Sequence, residues 1–134
     1  MSKEELEEGL EFTPRYDDKG LIPCITTSAD SNKVLMFAYM NEEAIRKTLE
    51  TGEAHYWSRS RNALWHKGAS SGLVQKIKDI RIDCDQDCVL ISVEMDMEAS
   101  CHTGRHNCFY RRIEDMDTLS LVDDKRLFDP DDVY

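Results

Sequence analysis

Residues 34–52 read VLMFAYMNEEAIRKTLETG, and the two halves of this stretch favour different secondary structure. The first seven, Val34 to Met40, are apolar enough for a buried strand, although length alone does not exclude a helix. The residues after Met40 settle the direction. Asn41 is a good N-cap, Glu42 and Glu43 carry negative charge where the helix dipole favours it, and Ala44, Ile45 and Leu49 form a helical stripe. Gly52 is placed to end the helix in the left-handed region. The stretch predicts a strand running directly into a helix.

On the N-terminal side, Ser2 with Glu5 three residues later can form a capping box, which predicts a short helix with Leu6 and Leu10 on one side. On the C-terminal side the periodicity becomes that of β-structure, in AHYWS (54–58) and IRIDC (80–84). From Cys88 to Met97, Val89, Ile91, Val93, Met95 and Met97 alternate with Leu90, Ser92, Glu94 and Asp96, as in a strand with one face buried. A last short strand, CFYRRI (108–113), comes after a glycine-containing turn at 103–105. The tail from Asp115 is acid-rich and ends DPDDVY, which predicts a surface appendage with little packed structure. The expected fold is α+β and strand-dominated: a compact single domain over 1–134, one main helix after Asn41, and peripheral segments at 1–12 and 115–134.

A chain of 134 residues has the length of one ordinary domain. No apolar run approaches the roughly 20 residues of a membrane span, and MSKEELEEGL carries acid where a secretion signal carries base and apolar residues. A cytoplasmic protein with no membrane partner is the expectation. Five cysteines, an odd number without a signal for secretion, read as thiols or metal ligands. The formal net charge of −10 argues against binding a nucleic-acid polymer. Between His55 and Arg81, however, Arg59, Arg61, Lys67, Lys76, Lys78 and Arg81 face one acid, Asp79. Such a patch suits a small phosphorylated ligand, or is simply a solvated basic face.

The densest chemistry lies in DCDQDC, 83–88. If it continued the preceding strand, Asp83, Asp85 and Asp87 would share one face. Three carboxylates there repel unless they stay in water or share a hard cation such as Mg²⁺. Cys84 would point the other way, with possible partners Cys101 and Cys108 in CHTGRHNC (101–108). Three thiolates leave zinc the open position that a catalytic site needs, whereas free cysteines are otherwise small buried hydrophobes. Cys24 and Cys88 are assigned to that second role. His102 and His106 could each be a ligand, a proton shuttle or a surface residue. Tyr56, Trp57 and Trp65 could stack a purine or fill core, and the Ser70–Gly72 turn could offer hydroxyls and amides to a phosphate.

Taken in order, VLMFAYMNEEA, YWSRSRNALWHKG, SSGLVQ, DCDQD and CHTGRHNCFYRR resemble the phosphoribosyl-AMP cyclohydrolases of histidine biosynthesis across roughly Val34 to Arg112. The resemblance implies a hydrolase that opens the adenine ring of 1-(5-phosphoribosyl)-AMP at the N1–C6 bond. It implies Mg²⁺ on Asp83, Asp85 and Asp87, and one Zn²⁺ per subunit on Cys84, Cys101 and Cys108. It also implies an intertwined homodimer whose shared sites draw zinc ligands from both chains. Arg59, Arg61, Lys67, Ser70, Ser71 and Arg105 stand in motifs that would hold the substrate's phosphate-bearing ends. His102, beside Cys101, is the candidate for proton transfer to the leaving nitrogen, with His106 or a carboxylate as the alternative. Ala69 stands where the family usually has an acid, and Leu73 where it usually has a small polar residue. A fused pyrophosphohydrolase domain, present in some relatives, is not expected in this length. The competing reading is a small structural-zinc module, closed by a fourth ligand, that binds a partner or RNA. A nucleobase deaminase is disfavoured because the PCxxC signature is missing.

Overall fold

The structure, a computed structural model, describes residues 2–97, 104–122, 127 and 130–133. Helix α1 (Lys3–Glu8) opens the chain, with the Ser2 hydroxyl accepting the Glu5 amide as the sequence predicts. The chain then builds a six-stranded sheet from β1 (Ile22–Ser28), β2 (Val34–Met40), β3 (His55–Ser58), β4 (Ala63–His66), β5 (Lys76–Ile82) and β6 (Val89–Glu94). Its spatial order is β4-β3-β2-β1-β6-β5. All neighbours are antiparallel except β1 and β6, two interior strands that run parallel.

Helix α2 (Glu42–Thr51) lies between β2 and β3, as expected from Asn41 and Gly52. The Asn41 side chain accepts the Ala44 amide, and Gly52 adopts a φ of 73°. α2 packs on β2, β3 and β4 and buries Ala44, Ile45 and Thr48. The same face of the sheet carries Ile22, Cys24, Val89, Ile91, Val93 and Met40, all buried. The alternation read over 88–97 therefore holds for Val89, Ile91, Val93 and Met95, while Met97 is exposed.

The other face of the sheet is open. Register places Leu90 beside Ile25 and Ile25 beside Phe37 in one cross-strand row, and Leu90 and Phe37 are 39% and 46% exposed. Near the Val34 end the segment 104–110 meets β2, with the Cys108 amide donating to the Leu35 carbonyl.

Three expectations change. The segment CFYRRI is strand only at β7 (Arg111–Ile113). The acidic tail, expected to hold little structure, contributes β8 (Leu119–Leu121), paired with β7, and the single-turn helix α3 (Pro130–Val133). The segment 83–88 is a turn and does not extend β5, because β5 ends at Ile82 and Gln86 takes a φ of 58°.

Candidate active site

The turn after β5 gathers the three aspartates by a route other than strand alternation. The Asp83 amide donates to the Cys88 carbonyl, and the Gln86 amide to the Asp83 carbonyl, so the chain doubles back within six residues. The Asp83 carboxylate accepts the amides of Asp87 (2.9 Å) and Cys88 (3.0 Å). Oxygens of Asp83, Asp85 and Asp87 then lie within 4.8 Å of one another at the surface. Hydrogen bonding with Asp85 and then Asp83, reinforced by their negative charge, pushes the Asp87 carboxyl up to about 6. Asp83 moves the other way. Its partial burial opposes ionisation, but the Asp87 amide and side chain and the Cys88 amide outweigh that and hold its carboxyl below the ordinary value. Clustered oxygen donors that repel one another match the demand of a hard divalent cation, so the residues fit Mg²⁺.

Cys84 is exposed in the same turn, and Cys108, also exposed, lies far from it. Ile82, Val89, Cys24 and Ala38 share one row across the sheet, and Leu35, bonded to Cys108, is three residues beyond Ala38. Three strand spacings of about 4.8 Å and three residues of about 3.3 Å separate the Ile82 and Leu35 backbones by roughly 17 Å. Sulfurs that share a zinc at about 2.3 Å each lie within roughly 4 Å of one another. One chain therefore does not bring Cys84 and Cys108 onto one ion. Cys101 and His102 lie outside the described residues, and His106 is half-buried. Of the cysteines assigned to core, Cys24 is fully buried and Cys88 half-buried.

The expected anion-binding residues are dispersed. The Arg59 guanidinium sits 4.1 Å from the centre of the Tyr39 ring, on the open face. Arg61 and Ser70 are exposed and Ser71 is half-buried, its hydroxyl accepting the Leu73 amide. Lys67 is only 4% exposed, with its ammonium 5.3 Å from the Trp65 ring centre. The turn that carries these residues is tight at Gly68, where φ is 89° and an added Cβ would meet the Val74 amide nitrogen at 2.3 Å. Arg105 stacks on Tyr110 at 4.3 Å, and its Nε is buried with no hydrogen-bond partner among the described residues. Of the aromatic candidates, Tyr56 is core. Trp57 and Trp65 are half-buried.

The profile of the family described as phosphoribosyl-AMP cyclohydrolase matches residues 36–110, which include the carboxylate turn and Cys108. The chain belongs to the phosphoribosyl-AMP cyclohydrolase family. A protein of that name from Rhodopseudomonas palustris is 56% identical over 135 residues, covering 98% of this chain and 92% of its own length. Another, from Bradyrhizobium diazoefficiens, is 56% identical over 133 residues, covering 97% and 94%. A third, from Nitrobacter winogradskyi, is 54% identical over 137 residues, covering 99% and 94%. Family membership makes the chain an enzyme and removes the ground for reading it as a structural-zinc module. Among the described residues no helix is long and apolar enough to cross a membrane.

Two features of the structure escaped sequence reasoning. One is the buried anchoring of Gln86, whose side-chain amide bonds to residues outside the turn. The other is a pair of stacked imidazoles, His55 and His66, with ring centres 4.3 Å apart, where His66 Nε2 meets Glu53 Oε1 at 2.7 Å. The register His55–His66 across β3 and β4 was the missing signal, and β4 was not foreseen.

Proposed function

We propose that this chain hydrolyses the N1–C6 bond of 1-(5-phosphoribosyl)-AMP, a step of histidine biosynthesis, as a homodimer using zinc and magnesium. The observation that carries the reading is the carboxylate cluster of Asp83, Asp85 and Asp87, formed beside the exposed thiol Cys84 within the family match. Magnesium would be held by the three aspartates, and its binding would displace the proton that Asp87 retains up to about pH 6. Zinc would be held by Cys84, Cys101 and Cys108, one ion per subunit. When bound it lowers the pKa of water to about 7 and so supplies the nucleophile for C6.

The chain's own residues supply the rest. Arg59, Arg61, Lys67, Ser70, Ser71 and Arg105 would orient the phosphate-bearing ends of the substrate. The buried Nε of Arg105, without a partner among the described residues, is a donor that an anion would satisfy. His102 would transfer a proton to the departing N1 nitrogen.

Dimerisation is part of this reading because Cys84 and Cys108 stand at opposite ends of one sheet. A zinc that uses both must draw them from two chains. The open row of Leu90, Ile25 and Phe37 gives a second copy an apolar face to cover.

An ultraviolet assay with phosphoribosyl-AMP tests the activity, run with zinc and Mg²⁺ and again after chelation. Turnover that disappears on chelation supports it, and a folded, metal-loaded protein without turnover would falsify it. Mixing tests the shared site. Cys84→Ala and Cys108→Ala are each expected to be inactive alone. Subunits exchanged at equal amounts should regain about a quarter of wild-type activity, since half the pairs are mixed and each mixed pair has one intact site. No recovery from mixed dimers overturns the shared arrangement.

A further inference from the structure

Gln86 occupies the left-handed region of backbone space, φ 58°, where glycine, asparagine and aspartate sit most easily. A glutamine there is explained by its side chain, which is 5% exposed and bonds in three directions. Nε2 donates to the carbonyls of Leu6 (3.1 Å) and Glu11 (3.2 Å), and Oε1 accepts the Thr13 amide at 2.7 Å. The Gln86 carbonyl accepts the Arg15 amide, also at 2.7 Å. One residue in the middle of the carboxylate turn thus fastens the N-terminal arm, residues 6–15. The arm in turn forms a wall of a cleft of about 290 Å³ whose other side includes Ile82, Asp83 and Cys84.

The geometry points to Gln86 as a positioning residue: its buried amide, locked to the N-terminal arm, holds the 83–88 turn with Asp83, Asp85 and Asp87 converged for a divalent cation. This rests on the proposed magnesium site. Without a cation the three carboxylates push the turn apart, and the anchored amide on its inner side opposes that. Convergence is then partly prepared before the ion arrives, which lowers the cost of binding it. Asp85 and Asp87 flank Gln86 directly, so a shift of its backbone moves both.

The test uses the full chain, with Mn²⁺ as the probe, read by calorimetry and by hydrogen exchange at the arm amides. Gln86→Gly removes the anchor while easing the backbone. It should speed exchange at Thr13 and Arg15 and raise the Mn²⁺ dissociation constant roughly tenfold, the usual scale for loss of an outer partner of a metal ligand. Thr13→Pro removes the N–H that Oε1 accepts and leaves the turn's sequence intact, so it should act in the same direction. The double variant should bind Mn²⁺ no more weakly than Gln86→Gly alone. Freed arm amides with unchanged Mn²⁺ affinity would overturn the inference, leaving Gln86 a tether for the arm only. Strictly additive losses would overturn it as well. Wild-type protein that binds Mn²⁺ no better than Asp85→Asn would sink the magnesium reading itself, and the inference with it.

Discussion

Tyr56 is fully buried, and its hydroxyl lies between the Thr26 hydroxyl at 2.7 Å and Gln75 Oε1 at 2.5 Å. Tyr56→Phe keeps the ring but removes the hydroxyl that meets both Thr26 and the buried Gln75 oxygen, so denaturant unfolding should show a loss of about 1–3 kcal/mol. Thiol labelling reports on a second residue pair. Burial pushes the Cys24 thiol up to about 12, whereas Cys84 is exposed. After chelation, iodoacetamide at neutral pH should modify Cys84 in the folded protein and spare Cys24 until the chain unfolds, as peptide mass mapping can check.

Asp17 gives a pH dependence. The Leu21 and Lys19 amides bond to its carboxylate at 2.9 and 2.8 Å and lower its pKa. A lowered folded pKa means the stabilisation is full above the unfolded value, 3.8, and is lost as pH falls through the folded one. The melting difference between wild type and Asp17→Asn should therefore shrink as pH drops below 3.8. At this scale Cys24 was legible because a lone thiol near apolar residues has one common fate. Lys67 was not, since a charge in a basic run looks solvated until the Gly68 turn folds it inward against Trp65.

The strand–helix unit from Val34 to Gly52 was legible because its signals are local: a cap, a dipole match, a stripe and a left-handed stop. Its cap can be measured. Asn41→Ala should cost about 0.5–2 kcal/mol in thermal or denaturant unfolding, through loss of the bond to the Ala44 amide. Strand β1 left no such trace. IPCITTS mixes proline with three hydroxyl residues, and proline argues against a central strand. Pro23 is tolerated because the parallel ladder to β6 begins at the next residue, Cys24, so β6 asks nothing of the missing N–H. Strand β4 was hidden in the basic stretch, where charge suggested a ligand patch. The carboxylate turn was legible in composition and misread in conformation: the aspartates meet through hydrogen bonds from the Asp87 and Cys88 amides to the Asp83 carboxylate, which sequence alternation does not reveal.

At the scale of the whole molecule the proposed zinc site is incomplete in one chain. Carboxylates and Cys84 stand at one end of the sheet and Cys108 at the other, a separation that spacing along the chain does not encode. A second copy over the open face is the proposed solution. Phe37→Glu, which places charge in the Leu90–Ile25–Phe37 row, should then shift sedimentation toward monomer and lower turnover in parallel. A variant that stays dimeric with full activity would show that this face is not where the copies meet.

The single parallel contact inside the sheet carries a consequence for how the protein is made. Cys24 pairs with Val89, 65 positions later, and Ser28 with Val93. The hairpin of β1 and β2 can close as soon as both have been synthesised, but the far edge of β1 must wait until β6 has left the ribosome. Closing so long a loop costs entropy before it returns contacts, which makes such pairings slow. Until then the nascent chain carries β1 with one edge unsatisfied, so this stage of synthesis is when another strand, from its own chain or a neighbour's, can pair there wrongly.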